Sequence, residues 1–360
     1  MKKIISIFVA AMMAMSLAAC GSTDTSSETP AVYTTSAAVE QTETSESAEN
    51  EVAETEAAEA EKPKTITIKA LNANKELADI EVPYDPQRIA ILDMPALDTV
   101  DAIGVGDRIV GSAKVTIEYL TDYNPDDSNG KILNLGSVKT ADLEQVAACE
   151  PDIIFIGGRL SKEYDNLSAI APVVYLGVDY EKGIVQSTED NAKTIASIFG
   201  KESEIDAMMD GFQTRIDALS SVINGKNILL SMYNNNAMSI MDTESQLNIL
   251  AKEMGGVNLG ETVGEVDKAT HGEDASWETI ISLNPEYIFV LDRSTATGAA
   301  EEGVLGAREV IENDLIKELD VYKNGNIVYF IEHANVWYTS TGGIQALDTM
   351  LSDLEAVLLS

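Results

Sequence analysis

Short apolar runs alternate along this chain with longer stretches whose apolar residues recur every three or four positions. The runs at 88–93, 107–111, 152–157, 173–176, 226–233, 238–241, 286–291 and 327–330 read as strands. Between them, 96–103, 141–149, 162–170, 245–254, 276–283, 307–319 and 343–358 read as helices. Strand and helix in alternation predict parallel sheets with helices on both faces. Residues 65–69 alternate apolar and polar, and Asn74-Lys75 supplies a turn, so the ordered part opens on a hairpin. Residues 186–222 differ in kind. They hold no Pro, their only Gly are Gly200 and Gly211, and Ile195, Ile198, Phe199, Ile205, Met208, Met209, Phe212, Ile216 and Leu219 keep helical spacing. This pattern predicts a short helix, a break at Gly200-Lys201, and a long helix of about 20 residues, about 30 Å in length. The expected architecture is α/β: two lobes with mainly parallel sheets, 63–185 and 223–360, joined by a long interlobe helix within 186–222.

One pattern occurs twice, 134 residues apart: DLEQVAACEPDIIFIGGR at 142–159 and SWETIISLNPEYIFVLDR at 276–293. Each copy opens on a helix-capping residue (Asp142, Ser276), followed two residues later by a glutamate (Glu144, Glu278). Each then has a helix-stopping proline (Pro151, Pro285), an apolar run, and an arginine (Arg159, Arg293). Ligands of parallel α/β sheets bind outside the strands' carboxyl ends. Arg159 and Arg293 fall at those ends, as do the loops around Met94, 234–236 and Trp337-Tyr338. Ser137 and His271 occupy matching positions before the two repeat helices. Pairing with rim carboxylates is the plain alternative for the arginines. A helix dipole, worth roughly 0.3–1 kcal/mol, is the plain alternative for each glutamate.

At 360 residues with 45% hydrophobic content, the chain has room for two packed lobes. Its formal charge of −36 excludes a nucleic-acid partner, which needs a basic face, and excludes adhesion of the domain surface to an anionic membrane. Residues 1–20 form a targeting segment: Lys2-Lys3, an apolar stretch, then Leu17-Ala18-Ala19-Cys20, which resembles a bacterial lipobox with Cys20 as the lipidated residue. Residues 21–62 are low in complexity and acidic, as expected of a disordered tether. Cys149 then lacks a disulfide partner and reads as a small core residue. No Gly-x-Ser-x-Gly elbow, His-Glu-x-x-His or phosphate loop is present, which disfavours a surface enzyme. Two histidines are too few for the usual zinc or manganese importer.

The stretches PQRIAILDMPALDTVDAIGVGDRIVG (86–111), PDIIFIGGR (151–159), THGEDASWE (270–278) and VWYTSTGG (336–343) resemble the substrate-binding lipoproteins of ABC importers. Within these they are similar to the ferric-siderophore binders of the catecholate type. The resemblance implies the helical-backbone periplasmic-binding-protein fold, with no catalysis and no permanent cofactor. It implies a ferric siderophore as the ligand, a bis-catecholate among the candidates, with haem or cobalamin as the alternative cargo. Arg159 and Arg293 match cleft arginines that hold the anionic complex. Gln246 replaces a third arginine of the group. His271 and Tyr338 match residues that complete the iron shell, and Met94, Ser137 and Trp337 join the expected ligand-binding set. Glu144 and Glu278 match glutamates that dock onto permease arginines. The implied partners are an ABC permease and its ATPase. The expected state is a monomer, held at the extracytoplasmic face of the cell membrane only through its lipid anchor.

Overall fold

The computed structural model describes residues 64–263, 273–274, 276–298 and 303–360. The expected targeting segment with Cys20, the tether and His271 lie outside the described residues. The opening hairpin is present: β1 (Thr65–Leu71) pairs antiparallel with β2 (Leu77–Pro83), and Lys75 takes a left-handed turn conformation. The chain continues through β3 (Ile89–Leu92), α1 (Met94–Ala102), β4 (Ile109–Ser112) and β5 (Leu133–Asn134). A small hairpin, β6 (Gly136–Ser137) and β7 (Thr140–Ala141), precedes α2 (Leu143–Ala148). Then come β8 (Ile153–Ile156), a 3₁₀ turn at Gly158–Glu163, α3 (Tyr164–Ser168) and β9 (Val173–Tyr175). Strands β5-β4-β3-β8-β9 form one sheet, every neighbour parallel. All residues of β3 and β8 are buried, which is why both read as unbroken apolar runs.

Three helices follow: α4 (Ile184–Phe199), α5 (Glu202–Met209) and α6 (Phe212–Ile223). The break at Gly200 is as expected; Gly200 takes the left-handed conformation that ends α4, and a Cβ there would meet the Tyr84 hydroxyl. The single long helix beyond it is not observed. Asp210 and Gly211 interrupt it, glycine being a poor helix former, and the 16-residue α4 is the longest of the three.

The second half runs β10 (Asn227–Asn234), β11 (Ala237–Ile240), α7 (Ile249–Lys252), β12 (Val257–Asn258), β13 (Glu273–Asp274), α8 (Trp277–Leu283) and β14 (Tyr287–Asp292). It ends with α9 (Arg293–Thr297), α10 (Ala307–Ile311), α11 (Asp320–Lys323), β15 (Ile327–Phe330), α12 (Ala334–Thr339) and α13 (Ile344–Leu358). Its sheet has the order β13-β11-β10-β14-β15, with β12 beside the start of β10. The contacts of β10 with β12 and β14, and of β14 with β15, are parallel; β11 and β13 run antiparallel at one edge. The expected helix 245–254 shrinks to the one turn of α7, and 307–319 breaks after α10.

The repeat is structural. Asp142 caps α2 by accepting from the Glu144 and Gln145 amides, and Ser276 caps α8 by accepting from the Thr279 amide. The residue before each proline is left-handed, Glu150 at φ 44° and Asn284 at φ 46°. The acid after each proline pins the start of the adjacent strand. Asp152 accepts from the Gln87 and Arg88 amides, and Glu286 from the Asn227 amide. Cys149 is buried, as expected, with its thiol on the Val146 carbonyl.

One core runs from the first sheet through α4, α6 and α13 to one face of the second sheet; a separate cluster fills that sheet's other face. Helix α13 therefore ends the chain against α1, α4 and α6. Its start is held by Asp98 of α1, 0% exposed, which accepts from the Gln345 amide (2.8 Å), the Ala346 amide (2.9 Å) and the Tyr119 hydroxyl (2.6 Å). Burial pushes this carboxyl up to about 7 despite those donors. Asn335 adds a second tie from α12, donating to the Thr116 carbonyl at 2.6 Å.

Candidate functional site

A parallel strand ends with its last backbone groups facing one edge of the sheet, and the chain must turn there. After β8 the turn is the 3₁₀ segment that carries Arg159; after β14 it is α9, whose first residue is Arg293. Asp292 caps α9 by accepting from the Thr295 amide at 2.9 Å, which fixes the direction in which Arg293 leaves the sheet. A third element, α12, brings Tyr338 between the two. The Arg159 and Arg293 guanidinium carbons lie 5.4 Å and 5.6 Å from the Tyr338 ring centroid. Both are within cation–π range. Arg293 also donates from Nε to the Tyr338 hydroxyl (2.9 Å) and from Nη1 to Asn234 Oδ1 (2.7 Å).

Tyr338 is only 5% exposed, so its ring is a fixed wall against which two longer side chains are laid. Among the described residues no carboxylate lies within ion-pair distance of either arginine. Among the described residues, then, rim salt bridges do not occupy them. Arg159 is exposed and Arg293 half-buried.

Arg159 and Tyr338 line a cavity of about 1000 Å³ at the strands' carboxyl ends, together with Met94, Gln246, Tyr175 and Tyr180. Met94 and Gln246 thus stand where the sequence placed them. Ser137 does not line it: its hydroxyl accepts from the Lys139 and Thr140 amides inside the β6–β7 turn, and the next residue, Val138, faces the cavity. Trp337 requires a correction. It is 0% exposed, stacks on Phe330 with centroids 4.1 Å apart, and donates its indole N–H to Asp353 (2.8 Å), so it offers no face to a ligand. Glu144 and Glu278 are exposed in the first turns of α2 and α8. Each of these helices leads its chain back to the amino end of a central strand.

Asp93 escaped the sequence reading, and Asn234 entered it only as part of the 234–236 loop at the strand ends. Asn234 closes β10 beside Arg293, and Asp93 follows β3, the neighbour of Arg159's strand. Asp93 lines the cavity and caps α1 through the Ala96 amide. Desolvation pushes its carboxyl up to about 6, against the pull of that amide and of Arg159, although part of the residue still faces the cavity. Their position just past apolar strands was the signal available.

Two sheets share a helical junction, Arg159 lines a cavity at the first sheet's strand ends, and Arg293 of the second sheet lies on the same Tyr338 ring, an arrangement suited to binding a ligand. The chain belongs to the periplasmic binding protein family, which it matches over residues 89–333. It is 30% identical to the petrobactin-binding protein YclQ of Bacillus subtilis across 99% of this chain and 98% of that protein. The YclQ crystal structure superposes with a TM-score of 0.72, covering 83% of this chain and 100% of the other. The periplasmic catecholate-siderophore binding protein VctP of Vibrio cholerae is 28% identical, with a TM-score of 0.70 over 81% of this chain and 99% of that one. The ferric-anguibactin-binding protein FatB of Vibrio anguillarum is 28% identical over 282 residues, 75% of this chain and 81% of its own.

Proposed function

We propose that this protein captures a ferric siderophore, of catecholate type, and delivers it to an ABC permease. The observation that carries this reading is Arg159 in the cavity wall, laid together with Arg293 of the other repeat copy on the Tyr338 ring, neither with a carboxylate partner among the described residues. A ferric catecholate is anionic, flat at each ring and bidentate at each oxygen pair. A guanidinium matches all three features, by charge, by stacking and by its planar fork. Names of similar proteins that bind petrobactin, a catecholate siderophore and ferric anguibactin support the same class. Gln246, uncharged in the cavity wall, favours a bis-catecholate over a more negative tris-catecholate. Tyr338 positions the arginines. Its oxygen accepts from Arg293, and a donor there favours the phenolate that ligation of iron would need.

The test is a titration of the purified protein, followed by intrinsic fluorescence, with ferric bis- and tris-catecholates, haem and cobalamin. Saturable quenching by the ferric catecholates is expected, strongest for the bis-catecholate. Binding of haem or cobalamin alone would overturn the reading. In cells, we propose that Glu144 and Glu278 meet the permease and that Cys20 carries the lipid anchor. Glu144→Ala and Glu278→Ala should lower uptake with affinity unchanged, and Cys20→Ala should leave the membrane fraction. Lost affinity in the first pair, or membrane retention of the last, would refute these assignments.

A further inference from the structure

The two arginines do not stand in equivalent electrostatic surroundings. In the second half, the strand beside Arg293's ends on Asn234, whose neutral amide oxygen accepts from the guanidinium at 2.7 Å. In the first half, the strand beside Arg159's is followed by Asp93, a carboxylate. Only one hydrogen bond reaches it among the described residues, from the Ala96 amide to Oδ2 (3.2 Å). The other oxygen stands over Gly157, so close that a Cβ there would lie 2.1 Å from it. Any side chain at position 157 would push Asp93 away. The cavity wall thus holds an acid beside the residue proposed to bind an anion, and Gly157 permits that approach.

We propose that Asp93 is the cavity's charge regulator: its carboxylate offsets Arg159 in the empty protein, disfavours ligands of high negative charge, and takes up a proton when an anionic complex binds. This inference rests on the ferric-siderophore reading. The physical reason is Coulombic. An anion docked on Arg159 would place a second negative charge beside Asp93, and like charges in a partly dehydrated site repel. The cheapest relief is protonation, because burial already holds this carboxyl far above the ordinary value. The charged or titratable groups that act on it from neighbouring elements are Arg159, in the turn after β8, and Tyr175 of β9, whose own hydroxyl is pushed up by burial. The sign follows. Above about pH 6 Asp93 is ionised in the empty protein and opposes the ligand; below it the opposition fades. Affinity should therefore rise as pH falls toward 6 and level off below it, where the empty protein already holds the proton.

Asp93→Asn is the informative variant, since Asn caps a helix as well as Asp does and only the charge is removed. The probes are ferric complexes of a synthetic linear bis-catecholamide and of a tris-catecholamide. At pH 7.5 the variant should bind the first about tenfold more tightly and gain more on the second, the scale of one charge acting over several ångströms. The gain should vanish toward pH 5. Calorimetry at pH 7 in buffers of different ionisation heats should show fewer protons taken up by the variant than by the wild type. Asp93→Ser, which also caps, should move in the same direction. Superposable affinities, pH profiles and proton counts would reduce Asp93 to a helix cap, and weaker binding by the variants would reverse its role; either overturns this inference alone. Failure of the wild type to bind any ferric siderophore would overturn the functional reading together with it.

Discussion

Alanine in place of Arg159 or Arg293 is expected to weaken ferric-siderophore binding by about 2–5 kcal/mol each, the range for removing one partner of a desolvated charged contact. The two losses should differ in kind. Arg159 touches Tyr338 only through its ring face and is exposed. Its charge faces water until the ligand covers it, so the loss should fall at the lower end of that range and shrink as salt is raised. Arg293 is bonded to Tyr338 and Asn234, so Arg293→Ala also leaves those two oxygens without a donor and frees the wall they hold. Its effect should be larger and less dependent on salt. A double-mutant cycle separates the parts. Tyr338→Phe keeps the ring and drops the oxygen, so it should cost affinity in the wild type and little in the Arg293→Ala background. Arg→Lys at either position keeps the charge without the fork and should fall between. Wild-type affinity in both alanine variants, measured by fluorescence titration, would remove the arginines from the site. The chain as a whole carries −36, which repels an anion at long range. Screening ends that repulsion beyond about 8 Å at physiological salt, so the cations next to the ligand decide.

Much of this architecture was legible because it is local. An apolar run flanked by a capped helix and a proline reads the same in either copy. The left-handed residue before each proline and the strand-pinning acid after it, at Glu150-Pro151-Asp152 and Asn284-Pro285-Glu286, came only with the structure. Continuity of a helix is less visible. Met208, Met209 and Phe212 keep one apolar face across Asp210-Gly211, and periodicity reports a face whether or not the backbone breaks beneath it. Asp93 was missed for another reason. Its nearness to Arg159 depends on β3 lying beside β8, a sheet order set by tertiary packing. The same holds for Trp337. An aromatic next to Tyr338 at a strand-end loop reads as cavity wall, and only the positions of β15 and α13 show that it points the other way.

Trp337→Ala is therefore expected to cost about 3–5 kcal/mol of folding stability, as for other large aromatic residues removed from a core. The indole joins an aromatic series that crosses the second sheet: Phe330 at 4.1 Å, Phe289 beyond it at 6.3 Å from Phe330, then Tyr287 at 5.9 Å from Phe289. Its N–H is one of two donors on Asp353 of α13, the other being His333 Nδ1 at 2.8 Å when that nitrogen is protonated. Alanine empties the stack and strands a carboxylate oxygen at once. Because so large a loss can abolish folding, Trp337→Phe is the discriminating variant. Phenylalanine keeps one ring in the stack, loses the bond to Asp353 and leaves a small cavity, at about 2–3 kcal/mol together. Chemical denaturation should show that smaller shift, while calorimetric affinity for the ferric complex stays within about twofold of wild type, as for a change away from the ligand. A wall residue would behave in the opposite way. Affinity lost with stability unchanged in Trp337→Phe would put the indole back in the cavity, and with it the arrangement of Tyr338 and the arginines would have to be redrawn.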